Sequence, residues 1–197
     1  LFKTADENKW TKLVDGKVHL AATFGEPRED YSNMRTWMGH KLLAPATVGE
    51  YKTDTLYPLF YDPAKKVSAL EVMDVLRNRY EGTKYDASLP GNEALRVIGV
   101  ERQSQIHVIQ VKDNYPKEIS ALQWLAFGNA EHSVFLPNFS GITDTYKAYK
   151  VDGEDYDPNG AYWKFKRICT LAEQNRSFYG QGVKDYWNFY EENLYND

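Results

Sequence analysis

Leu122-Gln123-Trp124-Leu125-Ala126-Phe127 is apolar at every position but Gln123, and Gly128-Asn129-Ala130-Glu131-His132-Ser133 follows it directly. The six-residue run reads as a strand. A strand with two apolar faces is covered on both, so it belongs to a sheet held between other layers. Ser104 to Val111 upstream reads as a second strand, with Ile106 and Val108 on one face and His107, Ile109 and Val111 on the other. Asn114-Tyr115-Pro116-Lys117 between them is a turn. Downstream, Val134-Phe135-Leu136 reads as a third strand that Pro137 stops. The polar residues 128–133 join two apolar strands. Their side chains either line a site at one end of the sheet or form a solvated hairpin loop.

Helices flank these strands. Val67 to Gly82 carries a capping box, in which Ser68 and Glu71 each satisfy an orphan backbone N–H. Val67 and Val72 occupy the hydrophobic-staple positions. Ala69, Val72, Met73, Leu76 and Tyr80 make one apolar face, and Gly82 supplies the left-handed stop. Ala161 to Phe178 reads as a helix with Tyr162, Phe165, Cys169 and Ala172 inward. Gly180-Gln181-Gly182 is a helix-breaking turn. Val183 to Tyr195 is a last helix, with Val183, Tyr186, Trp187, Tyr190 and Leu194 at helical spacing.

The first third is less regular. Val18 to Phe24 reads as a strand, and Glu26 to Asp30 as a polar turn with Pro27. Met34 to Leu43 fits a short helix or an extended run. Ala44 to Asp62 has no clear period and reads as an irregular surface segment; Val151 to Gly160 is an acidic, turn-rich loop. No repeat or linker divides the chain, so residues 1–197 are read as one region of α+β class.

Composition narrows the function. Twenty-four basic against 28 acidic side chains give a net charge of −4, which argues against nucleic acid as the main partner. Mean hydropathy is −0.64, and no apolar run approaches the ~18 residues of a membrane span. One cysteine excludes an internal disulfide framework and any multi-cysteine metal site. The histidines His19, His40, His107 and His132 form no i, i+4 ligand pair. No metal and no cofactor is expected. Phosphate-loop and GxSxG patterns are missing as well. Asn138-Phe139-Ser140 and Asn175-Arg176-Ser177 match the glycosylation pattern, which arises often by chance. The chain opens on Leu1 with no leader, and no stop signal follows its last helix. Both suggest a piece of a longer protein; the plainer reading is a domain with frayed ends.

Three groups invite chemistry. Cys169 lies mid-helix on an apolar face, where a thiol is buried and inert rather than activated. His132 sits in the polar loop. Arg35, within Asp30-Tyr31-Ser32-Asn33-Met34-Arg35-Thr36-Trp37, could orient a carboxylate or polarise a carbonyl with its planar fork. The plainer reading is a surface ion pair with Asp30 or Glu29.

Several blocks together carry a family resemblance. They are Tyr31 to Pro45 with Arg35, Trp37 and Leu42-Leu43-Ala44-Pro45; Leu76-Arg77-Asn78-Arg79-Tyr80-Glu81-Gly82-Thr83; Arg96 to Ser104; and Gln123 to Pro137. The chain resembles the bacterial dipeptidase A family over about Trp10 to Tyr190. These are cysteine peptidases of the N-terminal-nucleophile superfamily, with the secernins as more distant relatives.

The resemblance implies a four-layer αββα sandwich with antiparallel sheets, in a cytoplasmic hydrolase of dipeptides and other short peptides. Its members use a cysteine exposed as the first residue by propeptide removal. The free α-amino group takes the thiol proton, preset donors stabilise the tetrahedral oxyanion, and water releases the acyl group. Leu1 is not that cysteine. The resemblance therefore covers a C-terminal portion whose partner is the missing N-terminal half, and a homo-oligomer is allowed. Alone, this portion is expected to be inactive and poorly soluble. Arg35 is the candidate catalytic residue, because related amidases carry an active-site Arg after a Ser-rich segment. Asn129 and His132 are candidate substrate contacts. The alternatives are a non-catalytic, secernin-like interaction protein of the same fold and, last, a carbohydrate or peptide binder using exposed aromatics.

Overall fold

A computed structural model describes residues 1–25, 32–53 and 55–196. Its elements are α1 (Phe2–Glu7), β1 (Leu13–Val14), β2 (Lys17–Val18), α2 (Leu20–Phe24), α3 (Met34–Leu43), α4 (Ala69–Arg77), β3 (Gln105–Val111), β4 (Ala121–Phe127), β5 (Leu136–Phe139), α5 (Ala161–Gln174) and α6 (Gln181–Asn196). Helices with small antiparallel sheets make this an α+β protein. Two compact units are present: Leu1–Val67 with Tyr80–Val97, and Ser68–Arg79 with Ile98–Asp197. No helix among the described residues is long and apolar enough to cross a membrane.

In the first unit, Asp15 and Gly16 both adopt positive φ, at 50° and 74°. That is the tight turn an Asp-Gly pair favours, and it pairs β1 with β2. The strand expected over Val18 to Phe24 stops at Val18. His19 then caps α2, its Nδ1 accepting from the Ala22 amide at 3.1 Å while Nε2 meets the Tyr57 carbonyl at 3.1 Å. Apolar spacing alone favours a strand here, and a cap supplied by an imidazole converts it to a helical turn. Met34–Leu43 is the helix of the two forms considered. Residues 44–53 and 55–62 are irregular apart from a 3-10 turn at Pro45–Thr47. They are not wholly superficial, since Tyr51 and Tyr57 are buried. Trp37 anchors this unit, with Tyr51 and Tyr85 rings 5.7 and 5.8 Å away and its indole N–H on the Gly49 carbonyl at 2.9 Å. The turn read at Glu26 to Asp30 lies outside the described residues.

In the second unit, β3, β4 and β5 form one antiparallel sheet with β4 central. Ile106 opposes Ala126, and Val108 opposes Trp124. Leu122, Trp124 and Ala126 face a core built with Ala69, Met73 and Phe135, against which Leu194 and Tyr195 pack. Helices α4 and α6 thus cover one face of the sheet. The opposite face is only partly covered. Tyr162 of α5 meets Phe127 edge-on at 6.2 Å, whereas Ile109 and Val111 on β3 are 63% and 68% exposed. The second covering layer expected from β4 is therefore incomplete.

Three boundaries differ from expectation. The capping box of α4 is present, with the Ser68 amide on Glu71 Oε2 at 2.8 Å, but α4 ends at Arg77 rather than near Gly82. Asn78 turns extended because its carbonyl takes the Gly99 amide at 3.0 Å. A Cβ on Gly99 would lie 2.5 Å from the Arg77 carbonyl oxygen, so only glycine permits this approach. The third strand starts at Leu136 and includes Pro137 opposite Trp124. An edge strand can spare the missing N–H. Finally, α5 ends at Gln174, followed by a π-helical turn at Arg176–Gly180. Gly182 is inside α6, not in a break.

Candidate functional site

The segment between β4 and β5 is not a solvated loop. Residues 128–135 are all buried. Gly128 opens it at φ 84°, in the left-handed region, and a Cβ there would lie 2.8 Å from Cys169 Sγ. Asn129 Oδ1 then accepts the His132 amide at 2.9 Å, while its Nδ2 donates to Glu173 Oε1. The backbone carbonyls are clamped from outside. Arg77 donates to those of Ala130 at 3.0 Å and Ser133 at 3.1 Å. Trp187 donates to that of His132 at 3.0 Å.

Charge is concentrated around Glu131, which is 5% exposed. Its carboxylate meets Arg176 Nε at 3.1 Å, Lys184 Nζ at 3.1 Å and Arg79 Nε at 3.4 Å. Glu101 bridges two of these cations, 2.7 Å from Arg79 and 3.2 Å from Arg176. A buried carboxylate is tolerated only when so compensated. Glu131, Arg79 and Arg176 are not among the site residues expected from the sequence. The available signal is an acid in a short polar segment enclosed by two apolar strands.

His132 sits beside this cluster with no exposure at all. Neither ring nitrogen has a hydrogen-bond partner among the described residues. Burial, assisted by the positive charges of Arg176, Lys184 and Arg79 and opposed by Glu131, lowers its pKa to about 4. The imidazole is therefore neutral at physiological pH, and Glu131 Oε1 at 3.8 Å is not a salt-bridge partner there. Gly180 closes over it: a Cβ at that position would lie 3.2 Å from His132 Nε2.

Cys169 is fully buried, and burial raises its pKa. Its sulfur lies 3.7 Å from the His132 carbonyl oxygen. A thiol so held is not a nucleophile. Arg35 belongs to the first unit and Asn129 and His132 to the second. Arg35 Nη2 donates to Ser32 Oγ at 3.2 Å, and its guanidinium acts on the buried Tyr80 hydroxyl by lowering a pKa that burial raises. The ion pair weighed with Asp30 or Glu29 falls outside the described residues. Asn129 and His132 come together in one segment, and both are wholly buried. Among the described residues no cluster of His, Cys, Asp or Glu could hold a metal ion.

Residues 1–189 match the family described as Peptidase family C69. The chain belongs to Peptidase family C69. Its C69 relatives include "Probable dipeptidase B" of Lactococcus lactis subsp. lactis (strain IL1403), 31% identical over 150 residues, which cover 74% of this chain and 31% of the relative. "Probable dipeptidase B" of Streptococcus pyogenes serotype M1 is 28% identical over 197 residues, covering 93% of this chain and 39% of the relative. "Probable dipeptidase A" of Streptococcus pyogenes serotype M3 (strain SSI-1) is 27% identical over 179 residues, covering 87% and 38%. The resemblance to the dipeptidase A family is thereby borne out. The chain spans about a third to two-fifths of the length of these curated relatives.

Proposed function

We propose that this chain is the C-terminal portion of a cysteine dipeptidase whose nucleophile lies in sequence outside it. The carrying observation is the match to a peptidase family over residues 1–189, with relatives named as dipeptidases. Coverage of only 31–39% of the two dipeptidase B relatives leaves ample sequence for a nucleophile. The one thiol present is buried and has its pKa raised, which supports a cysteine elsewhere. In the proposed reaction an N-terminal cysteine thiol passes its proton to the α-amino group, and the resulting thiolate adds to the peptide carbonyl. The tetrahedral adduct collapses to a thioester as the amine leaves with a proton, and water then frees the carboxylate.

In this reading the sheet β3–β4–β5 is one inner layer of a four-layer sandwich. Helices α4 and α6 are its outer cover, and a second sheet packs on the face carrying Ile109 and Val111. Those two exposed apolar residues support the arrangement. Arg35 is the proposed catalytic-site residue, because its planar fork matches a carbonyl or carboxylate. Asn129 and His132 are assigned to the substrate end of the site, acting through the shape of the buried segment. The enzyme is expected to be cytoplasmic.

The test is hydrolysis of unblocked dipeptides by the full-length parent, with Arg35→Lys and Arg35→Ala variants. The proposal expects turnover by the parent, a loss of at least about tenfold in kcat/KM for either variant, and none by the 197-residue chain. A parent that cleaves no peptide would support the secernin-like reading instead.

A further inference from the structure

Beside the start of α5 lies a cavity of about 280 Å³ that no part of the proposed peptidase chemistry uses. Phe127, Tyr149, Tyr162 and Trp163 line it. The rings brace one another: Phe127 is 5.6 Å from Tyr149 and 6.2 Å from Tyr162, and Tyr162 is 5.1 Å from Trp163. The Trp163 indole is fixed further by donating to the Asp155 carbonyl at 3.1 Å. All four side chains are half-buried, so each keeps accessible ring surface.

The remaining wall includes acidic residues. Glu154 and Asp155 line the same cavity and are exposed. Neither is ion-paired among the described residues. Asp152 and Asp157 stand in the same loop, and residues 151–161 contain no basic side chain. Of the nearby cations, Lys150 is bound by Asp144, and Lys164 is exposed on the first turn of α5. The N-terminus of α5 opposes a cation with about half a unit of charge, against two full carboxylates. Elsewhere the chain seats its own lysines over rings, Lys41 over Trp37 at 5.5 Å and Lys112 over Tyr115 at 4.5 Å. No such cation covers the four cavity rings among the described residues.

We propose that this cavity binds a small organic ammonium ion, with the charge between the Glu154 and Asp155 carboxylates and the ring faces, and the apolar body against Phe127, Tyr149, Tyr162 and Trp163. A cation over an aromatic face is drawn by the ring quadrupole. A neutral ligand of the same shape keeps only the apolar contact, and an anion meets two like charges. The assignment does not depend on peptide hydrolysis.

The test is titration of the isotope-labelled full chain with benzylammonium, benzyl alcohol and benzoate, reading the Trp163 indole N–H by NMR. Benzylammonium is expected to give a saturable shift, benzyl alcohol to bind at least about tenfold more weakly, and benzoate to give none. The double variant Glu154→Gln/Asp155→Asn removes two exposed charges with no described pairs, so it folds. It should weaken benzylammonium roughly fivefold or more and leave benzyl alcohol unchanged. Phenylalaninamide and Nα-acetyl-lysinamide then separate the sources. Tighter binding of the first assigns an α-ammonium, and of the second a side-chain ammonium. Equal affinity for amine and alcohol, an unchanged double variant, or no shift at Trp163 overturns the proposal.

Discussion

Arg77 and Glu191, 114 residues apart, form an ion pair with Nη2 2.5 Å from Oε1, and both are buried. The same carboxylate oxygen accepts the Phe135 amide at 2.6 Å, and the guanidinium stacks 4.9 Å above the Phe135 ring. One pair thus ties the end of α4 and the middle of α6 to the segment between β4 and β5. Burial raises the Glu191 pKa against the pull of Arg77. Glu191→Gln or Arg77→Met strands the surviving charge and should cost roughly 3–5 kcal/mol. The joint variant Arg77→Met/Glu191→Gln should cost less than the sum of the two single changes. Urea unfolding of the four proteins checks this coupling.

Acid should destabilise the fold through His132. Its pKa falls from the ordinary 6.5 to about 4 in the folded chain. The unfolded chain therefore binds a proton between those values while the folded one does not. Stability is full above pH 6.5 and is lost as pH falls toward 4, by on the order of 3 kcal/mol. His132→Gln should flatten the decline of Tm between pH 7 and pH 4.5. An unchanged slope would remove His132 from this role.

Gly128 and Cys169 should show a rescue. Gly128→Ala places a methyl 2.8 Å from Cys169 Sγ and keeps a left-handed φ of 84°. Only the first conflict disappears in Gly128→Ala/Cys169→Ala. The backbone penalty of about 1–2 kcal/mol should remain. Thermal melts of the two single variants and the double variant measure the non-additivity.

The cap on α4 offers a smaller effect. Ser68→Ala removes the acceptor of the Glu71 amide and should cost about 1 kcal/mol. A loss below about 0.3 kcal/mol would mean that packing of Met73 alone sets the helix start.

Local chemistry made part of this fold legible. The Ser68–Glu71 box, the alternation in β3 and the apolar run of β4 all work within a few residues of themselves. Boundaries set by distant partners did not. Asn78 leaves α4 because Gly99 reaches its carbonyl, and His19 ends a strand by capping α2. Glu191 shows the same limit at the level of a helix face. It is buried on α6, while Tyr186 and Tyr190, whose helical spacing marks the last helix in the sequence, are 55% and 43% exposed. The buried position follows the Arg77 charge rather than side-chain hydropathy. Likewise the polar residues 128–133 looked surface-compatible until Arg77, Arg79, Arg176, Lys184 and Trp187 supplied their partners.

The most direct measurement is the site of labelling by a thiol-directed peptide-mimetic inhibitor in the full-length parent, mapped by peptide mass spectrometry alongside dipeptide turnover. The proposed mechanism predicts one modified cysteine at the mature N-terminus, activity lost in step with its labelling, and full turnover in the Cys169→Ala variant. Modification of Cys169 that tracks the loss of activity, or turnover that survives complete labelling of the N-terminal cysteine, would contradict it.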